Sequence, residues 1–526
     1  MWGKGFRDGV WGRLGDPWDL VVVGGGITGA GILAEATRAG LRAVLLEARD
    51  FASGTSSRST KLVHGGLRYL RQGQFLVTRK SVKERERMLD EGRGLVEPLP
   101  FSLAAFEGDQ MPRWMFGVGL SIYDALAWKW EHERLNAAEI LRAFPAMAES
   151  GVLGGYRYFD AQTDDARLTV RVIREAVRAG GTALNYARVV DLLRDASGRV
   201  VGAVARDDGA PEGDPRRGRT VEIRAKAVIN ATGAWADDLR GAVGESPRLR
   251  KIRGSHLVFP RGKIPVQEAM SFMHPRDQRG VFAVPWEGVT LVGTTDVDHD
   301  ASLELEPRIS TAEAEYILEG ARKVFPTLGL TETDVLCTYA GVRPVIDTGN
   351  PDPSKESREH AVWQENGLYT ITGGKLTTWA LMAREALEAA RAELGPLPER
   401  TRIFAEDPGE DALSAELTPA AKRRLIGRLG EEAVGAASEA HLRQSIGGGL
   451  SLFGELRLAA REEGCVSLGD LLLRRVRVGL TLPRGGEGEL AGIRAVAQPE
   501  LGWSDETWEL EKRRYLREWE AAYSPP

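Results

Sequence analysis

Cysteine is scarce in this sequence, and long apolar runs are missing from it. Its 526 residues contain only Cys337 and Cys465, which stand far apart and outside any CxxC or Cys/His spacing. Neither a disulfide framework nor a metal site is indicated, and a reducing compartment is expected. No uncharged apolar stretch reaches the roughly 20 residues that a membrane-spanning helix needs.

An excess of charge of one sign and an export signal are lacking as well. The 70 basic and 75 acidic residues leave a formal net charge of -5, which provides no general attraction for nucleic acid. The first nineteen residues mix tryptophans with charged residues and hold no apolar run of signal-peptide length. We therefore expect a cytoplasmic enzyme of two or three domains that binds no nucleic acid.

The segment MFGVGLSIYDALAWKW (115–130) comes nearest to an apolar run. As a helix, it would place Met115, Ile122 and Leu126 on one face. Such a helix most often packs in a core or between subunits. The alternative is a helix that lies in the interface of a membrane, where the tryptophans at its end would be favourable.

Residues 19–47 have the pattern of a β-α-β unit. DLVVV predicts a buried strand, residues 27–39 predict a helix, and RAVLLE predicts a second strand that ends at Glu47. Glycines occupy the turn between strand and helix at the G-x-G-x-x-G spacing, with an acidic residue about 20 positions later. The pattern predicts a dinucleotide-binding site.

Each of the three glycines has its own physical role in such a site. Gly24 permits the tight turn, Gly26 lets the backbone approach a pyrophosphate, and Gly29 lets the helix pack closely on the strand. The N-terminus of the helix favours the anion. Glu47 is then placed to bind the ribose hydroxyls.

The chain returns to this unit twice. KAVINATGAW (226–235) and GLYTITGGK (367–375) each predict a strand that ends in glycine, where backbone can approach a ligand closely. DDGAPEGDPRRG (207–218) predicts the tip of a hairpin. The predicted domains are a discontinuous nucleotide-binding domain (17–80, 161–249 and 336–395), an inserted substrate-binding domain (81–160 and 250–335), and a helical C-terminal domain (400–526).

Residues 55–71, TSSRSTKLVHGGLRYLR, gather hydroxyl groups, cations and a glycine pair. Other short motifs accompany this segment: VVGGGITGAG (22–31), DDARL (164–168), NATGAW (230–235), GSH (254–256), GTTD (293–296), GVRP (341–344) and GGKLTT (373–378). With these motifs the sequence resembles the FAD-dependent glycerol-3-phosphate dehydrogenases. These are the respiratory, quinone-reducing members of the D-amino acid oxidase-like and glycine oxidase-like flavoproteins. The resemblance spans roughly residues 17–390.

The resemblance implies an α/β fold and a non-covalently bound FAD. The fold would comprise a Rossmann-like FAD-binding domain of the glutathione reductase type, an inserted mixed α+β substrate domain and a helical C-terminal domain. A covalent link to the histidine beside the flavin is not implied. The cofactor-binding residues implied are Gly24, Gly26, Gly29, Glu47, Ser56, Ser57, Lys61, His64, Gly65, Val189, Gly233, Gly374, Leu376 and Thr377.

A set of cations and one tyrosine is implied to bind the phosphate of glycerol 3-phosphate. A planar guanidinium with several donors suits a phosphate well. The implied substrate-binding residues are Arg68, Tyr69, Arg343, Arg358 and Lys375.

The chemistry implied is oxidation at C2 of glycerol 3-phosphate, in which a hydride moves to flavin N5 and a base takes the hydroxyl proton. His256 in GSH is the candidate base, because an imidazole can accept a proton at neutral pH. Arg343 could instead polarise the hydroxyl, and the sequence leaves the two catalytic roles open. Asp164 and Asp165 fit either a helix N-cap or the rim of the substrate site.

Quinone is the electron acceptor that the resemblance implies, with the protein peripheral on the cytoplasmic face of the membrane. A glycerol-3-phosphate oxidase that uses oxygen is the nearest alternative. An amino-acid or sarcosine-type oxidase on the same fold is a further one, but it would not need a dense cluster of cations. A homodimer is one assembly to test.

Overall fold

The computed structural model describes residues 2–3, 5–67, 75–110, 112–356 and 359–526. Its strands form an eight-stranded and a ten-stranded sheet. In chain order the strands are β1 (Trp18–Val23), β2 (Ala43–Leu46), β3 (Leu62–Val63), β4 (Val96–Phe106), β5 (Glu133–Leu135), β6 (Val152–Thr163), β7 (Thr182–Leu184), β8 (Ala187–Arg194), β9 (Val200–Asp207), β10 (Thr220–Asn230), β11 (Leu249–Pro260), β12 (Ala269–Met273), β13 (Gly280–Trp286), β14 (Val289–Gly293), β15 (Val297–Asp298), β16 (Cys337–Ile346), β17 (His360–Glu365) and β18 (Leu368–Gly373).

Helices surround both sheets and make up most of the C-terminal part. Beside short 3-10 turns and a π-helical turn (Asp470–Arg475), the α-helices of the described ranges are α1 (Phe6–Trp11), α2 (Ile27–Arg38), α3 (Phe75–Glu91), α4 (Arg113–Ala127), α5 (Ala137–Ala143), α6 (Asp165–Arg178), α7 (Ala236–Ala242), α8 (Thr311–Val324), α9 (Trp379–Ala389), α10 (Arg391–Leu394), α11 (Pro419–Leu429), α12 (Glu432–Ala436), α13 (Phe453–Glu462), α14 (Val478–Thr481), α15 (Leu490–Leu501) and α16 (Asp505–Ala522).

The first sheet carries the predicted nucleotide-binding unit. Its core is parallel, in the order β18-β10-β1-β2-β7. Strand β1 is apolar along nearly its whole length because both faces of the sheet are covered, one by α2, α6 and α9 and the other by α1 and the β8–β9 hairpin. In register, Val22 lies between Leu45 of β2 and Ile229 of β10. The carboxyl ends of these strands therefore meet at one edge, where the glycine motifs lie.

The hairpin predicted at 207–218 is confirmed. It joins β9 to β10, which pair in antiparallel fashion from Thr220 opposite Arg206. The α/β class, the Rossmann-like nucleotide-binding fold and the helical C-terminal region are likewise confirmed.

The second sheet is mixed and carries most of the predicted substrate domain. Its order is β15-β11-β14-β13-β12-β4-β6-β3, with β16 on the other side of β11 and β5 beside β6. Strand β16 pairs with β11 from Leu249 opposite Ile346 to Val258 opposite Cys337. These hydrogen bonds continue over the whole strand, and the next strand of the first sheet along the chain is β17.

Buried ion pairs fasten the C-terminal helices to the nucleotide-binding part. Asp50 accepts hydrogen bonds from Arg474 at 2.6 Å and from Arg475 at 2.7 Å, with the Asp50 side chain fully buried. Glu463, also fully buried, pairs with Arg167 and Arg174 of α6. The C-terminal domain is thus an integral part of the molecule.

Within the ranges that the structure describes, no helix is both long and apolar enough to cross a membrane. The same residues contain no group of histidine, cysteine, aspartate and glutamate side chains that could hold a metal ion.

Candidate active site

A cavity of about 1700 Å³ lies between the two sheets and takes its wall from both. From the first sheet it is lined by the glycine turn after β1 and by the ends of β2 and β10. From the second sheet it is lined by residues of β4, β6, β12, β13 and β16. The cavity therefore joins the predicted cofactor site to the predicted substrate domain.

The turn between β1 and α2 is shaped by two glycines that no other residue could replace. Gly24 has a φ of 111°, and a Cβ there would lie 2.6 Å from the Ala231 carbonyl oxygen. A Cβ on Gly29 would collide with the Gly24 carbonyl oxygen. Close packing of α2 on β1 therefore requires glycine at 29, as the spacing predicted.

The N-terminus of α2 faces the cavity. Gly26 is its N-cap and offers no side chain to satisfy the first backbone N–H groups, and Gly26, Ile27 and Thr28 all line the wall. Ser56 accepts a hydrogen bond from the Ile27 N–H through Oγ at 2.9 Å. Donors at a helix N-terminus suit a pyrophosphate, because the helix dipole favours negative charge there.

Glu47 ends β2 beside this turn. Its carboxylate accepts hydrogen bonds from the backbone N–H groups of Gly25 at 2.6 Å and Arg49 at 2.7 Å. Burial raises the pKa of Glu47. The cavity volume, the glycine turn, the helix N-terminus and this acid together fit a dinucleotide as large as FAD.

The segment around His64 is held against the turn after β18. The His64 N–H donates to Thr377 Oγ1 at 3.1 Å, and the same hydroxyl donates to the His64 carbonyl oxygen at 3.0 Å. Lys375 donates to the Gly65 carbonyl oxygen through Nζ at 3.3 Å. His64 and Lys375 both line the cavity, so an imidazole and an ammonium group stand close together on its wall.

Burial changes the charge state of both groups. It lowers the pKa of His64 to about 4, with a further contribution from the positive charge of Lys375. It lowers the pKa of Lys375 to about 7. At neutral pH the imidazole is therefore uncharged.

Arg343 reaches the cavity wall from β16 by crossing β11. Its guanidinium lies over Gly254, where a Cβ would collide with it. Beyond β11 it donates to Thr294 Oγ1 at 3.0 Å and forms an ion pair with Asp296. Gly254, the glycine of GSH, is thus required because any side chain there would collide with the Arg343 guanidinium.

The sequence of this chain matches a known protein family. Residues 19–389 match the DAO family, described as FAD dependent oxidoreductase. The chain belongs to this family of FAD-dependent oxidoreductases. FAD is accordingly the cofactor for which the glycine turn and the cavity are built.

Curated relatives of this flavoenzyme include two aerobic glycerol-3-phosphate dehydrogenases. The protein of Bacillus subtilis (strain 168) is 39% identical over 383 residues, which cover 72% of this chain and 67% of the relative. The protein of Staphylococcus aureus (strain USA300) is 37% identical over 385 residues, covering 72% and 68%. The aligned part thus spans about two thirds of these relatives.

A solved structure resembles the flavoenzyme over nearly its whole length. It is the glycerol-3-phosphate dehydrogenase from Bacillus halodurans complexed with FAD, 30% identical with a TM-score of 0.78. The match covers 99% of this chain and 98% of that one. The similarity therefore includes the helical C-terminal part, which the family match at 19–389 does not reach.

Most of the residues predicted for the cofactor and the substrate lie together on the cavity wall of the flavoenzyme. They are Gly24, Gly26, Glu47, Ser56, His64, Val189, Gly233, Arg343, Gly374, Lys375, Leu376 and Thr377. Arg68, Tyr69 and Arg358 lie outside the described residues.

His256, the predicted base, does not line this wall. It is 1% exposed, its ring stacks on Tyr339 with the centroids 4.6 Å apart, and its Nε2 lies 2.9 Å from Thr60 Oγ1. Thr60 does line the cavity. Burial, together with the charges of Arg343 and Lys61, lowers the pKa of His256. The imidazole is therefore one residue removed from the cavity.

Lys61 and Gly65 serve the packing of the loop that carries His64. The buried Lys61 ammonium pairs with Asp165 at 2.8 Å and donates to the Ser57 carbonyl oxygen at 2.6 Å. Burial lowers the pKa of Lys61 to about 8. The Gly65 N–H donates to Tyr123 Oη at 2.9 Å, and a Cβ on Gly65 would lie 2.5 Å from Val82 Cγ2.

Four further residues singled out from the sequence also lie off the cavity wall. Ser57 is buried and Gly29 packs α2 on β1. Asp164 caps α6 by accepting from the Arg167 N–H at 3.2 Å, while its neighbour Asp165 pairs with Lys61. Of the two interpretations of Asp164 and Asp165, the N-cap is the one that the geometry fits.

Asp296 and Arg279 are among the charged residues of the wall that sequence reasoning missed. Asp296 ends the GTTD motif, and Arg279 stands immediately before β13; both line the cavity. Asp296 belonged to a recognised motif, so it could have been singled out. Arg279 carried no signal beyond a cation next to a glycine.

Proposed function

We propose that this enzyme oxidises sn-glycerol 3-phosphate to dihydroxyacetone phosphate and passes the electrons to a membrane quinone. The observation that carries the proposal is the cavity wall itself, where Arg343 and Lys375 provide cations and Lys375 lies close to the uncharged imidazole of His64. A small phosphate ester needs a cation to bind, and oxidation of its alcohol needs a base. The relatives support this choice of substrate.

Arg343 and Lys375 have different tasks in phosphate binding. The guanidinium of Arg343 is fixed by Asp296 and Thr294, so it presents its donors in a defined direction. Lys375 adds a compact charge beside His64. Arg68, Tyr69 and Arg358 stay predictions for the same pocket.

Two imidazoles compete for the role of base. His64 lines the cavity with an uncharged imidazole, and this position on the wall supports it as the group that takes the C2 hydroxyl proton, although a pKa of about 4 makes it a weaker base than an ordinary imidazole. His256 reaches the cavity only through the Thr60 hydroxyl. We assign His256 to orienting Thr60. FAD, when bound, supplies the acceptor for the hydrogen that leaves C2 with its electron pair.

An exposed apolar face beside the cavity supports a lipid-soluble acceptor. On α4, Trp114, Met115, Val118 and Ile122 are between 37% and 65% exposed. Met115, Val118 and Ile122 also line the cavity, so this face continues into the site. A bilayer surface is the occupant we propose, because a quinone dissolved in lipid would then meet the cavity directly.

Anaerobic mixing of the FAD-loaded enzyme with candidate substrates tests this function. Glycerol 3-phosphate should bleach the flavin absorbance rapidly, whereas glycine, sarcosine and D-alanine should not. Adding a quinone analogue or oxygen afterwards identifies the acceptor. Bleaching by an amino acid instead would overturn the substrate, and faster reoxidation by oxygen than by quinone would assign the enzyme to the oxidases.

His64→Ala and His256→Ala separate the two imidazoles. The first should slow flavin reduction at saturating substrate by roughly 10² to 10⁴, while the second should retain most of the rate. The reverse result would assign the base to His256.

A further inference from the structure

We propose that Arg279 is a second guanidinium that binds the phosphate, acting together with Arg343 through a shared carboxylate. The inference rests on the proposed function and adds a residue to the same pocket. Arg279 donates to Asp296 Oδ2 at 2.8 Å. Arg343 pairs with the other oxygen, Oδ1, of the same carboxylate. The two arginines are thus brought together although they are 64 positions apart in the sequence, 279 and 343.

The sheet explains why these three side chains meet. Strands β13 and β14 pair in antiparallel fashion with Phe282 opposite Gly293, so the residue before β13 lies beside the residues after β14. Arg279 therefore comes next to Asp296. Arg343 arrives from β16 on the far side, across Gly254. The arrangement depends on three strands and is not a local contact of one loop.

Arg279 also retains donors that its partner carboxylate does not use. The ion pair occupies its Nη2, whereas its Nε is buried without a hydrogen-bond partner among the described residues. A buried donor left without an acceptor costs free energy. Because Nε is buried, the donor that a ligand in the cavity would meet is Nη1, which forms no hydrogen bond with the described residues; the side chain is 21% exposed and lies on the cavity wall, where a phosphate oxygen would be an acceptor for it.

The two guanidiniums carry more charge than their shared carboxylate. Asp296 neutralises one of the two charges and leaves one positive charge beside it; elsewhere the wall includes the cation Lys375 and the acidic residues Asp160 and Asp277. A phosphate monoester carries about -1.5 to -2 charges at pH 7. Asp296, only 3% exposed in its side chain, holds both arginines in place, so the two guanidiniums are oriented before the substrate arrives.

Arg279→Gln in the FAD-loaded enzyme tests the inference, with Arg276→Gln as the matched control. Arg276 stands on the same loop, is 56% exposed and pairs with Glu319 away from the cavity wall. We expect Arg279→Gln to raise KM for glycerol 3-phosphate roughly tenfold to hundredfold with little change in kcat. The inhibition constant of inorganic phosphate, measured as a competitor, should rise in parallel. Arg276→Gln should leave both constants unchanged.

Two further measurements distinguish phosphate binding by Arg279 from a purely structural role. Turnover of glycerol, which has no phosphate, should be unchanged in Arg279→Gln, and Arg279→Lys should recover part of the lost affinity. An unchanged KM in Arg279→Gln would overturn the inference, as would an equal loss of glycerol turnover or of bound FAD. If the wild-type enzyme did not oxidise glycerol 3-phosphate at all, the proposed function itself would be wrong. That result differs from the results that would contradict only the role of Arg279.

Discussion

At the scale of single residues, two classes of position govern this site: glycines that leave room, and charged groups whose pKa is shifted by burial. Gly29 and Gly254 belong to the first class, since a Cβ at either would collide with a neighbouring group. Lys375 and His64 belong to the second. Both classes can be tested by conservative substitutions.

Gly29→Ala should abolish FAD retention, because the added methyl group would force α2 away from the Gly24 carbonyl oxygen. Gly241→Ala is the matched control. It adds the same group in α7, where a Cβ meets nothing within 4 Å, and should stabilise the helix by about 0.5 to 1 kcal/mol. Flavin absorbance per polypeptide and Tm are the measurements. Normal flavin content in Gly29→Ala would show that the close packing of α2 is not needed.

The pH dependence of kcat/KM for glycerol 3-phosphate should report Lys375. Because its pKa is lowered to about 7, its charge is lost as pH rises through 7, and kcat/KM should fall between pH 7 and 9. Lys375→Arg keeps a charge throughout this range and should remove the fall. The control Lys80→Arg, at an exposed lysine of α3, should keep the wild-type profile. The same fall in Lys375→Arg would contradict the assignment.

The role of a residue could be predicted from the sequence where that role depends on residues close to it in the chain. The glycine turn follows from strand, spacing and helix within about 30 residues. The position of His256 cannot be predicted from a local pattern. It depends on the pairing of β11 with β16, in which His256 stands opposite Tyr339. Arg279 was missed for the same reason, since its partner Asp296 comes beside it only when β13 and β14 pair.

At the scale of elements, α4 combines two opposite faces. Phe116, Leu120 and Tyr123 are buried, whereas Trp114 and Val118 are more than half exposed. The sequence predicts the helix but not which apolar face is left uncovered. That choice is made by the elements that pack against it, chiefly α3 and β6. The packed-core interpretation of this segment therefore describes one face, and the interfacial interpretation stays a prediction for the other.

Replacing Val118 and Ile122 together by glutamine should weaken binding to liposomes, because both side chains are exposed apolar groups of α4. Flotation with vesicles at low and high salt is the measurement. Val434→Gln is the control, since Val434 is exposed to a similar degree, 39%, on α12. Equal flotation of all three proteins would exclude α4 as the contact surface, and no flotation of the wild type would remove the membrane from the proposal.

At the scale of the whole molecule, buried ion pairs unite the C-terminal helices with the nucleotide-binding sheet. These pairs join positions hundreds of residues apart, such as Arg167 and Glu463, so no local sequence pattern predicts them. The sequence predicted a charged helical domain without assigning it a contact. Its attachment to the core depends on carboxylates that are fully buried and fully paired.

Glu463→Gln should lower stability by roughly 3 to 5 kcal/mol, because it leaves the buried arginines without their anion. Although burial alone would raise it, the charges of Arg167 and Arg174 hold the pKa of Glu463 at about 2. Its folded pKa is thus below its ordinary value of 4.5. The stabilisation is present above pH 4.5 and is lost as pH falls toward 2.

Thermal unfolding between pH 7 and pH 3 measures both effects. The variant should begin with a lower Tm and lose less of it on acidification than the wild type. Glu439→Gln, which removes an exposed partner of Arg457, should change Tm little. Equal acid sensitivity of Glu463→Gln and wild type would contradict the role of this carboxylate.

The two faces of α4 have a thermodynamic consequence. Tyr123, on the buried face, accepts a hydrogen bond from the Gly65 N–H at 2.9 Å and donates one to Asp160 at 2.5 Å. One rigid helix therefore touches solvent on one side and the loop beside the flavin site on the other. Whatever free energy this connection transmits must be reciprocal. If a vesicle tightens FAD binding by some factor, FAD tightens vesicle binding by the same factor, so the empty protein would leave the membrane more readily than the loaded one.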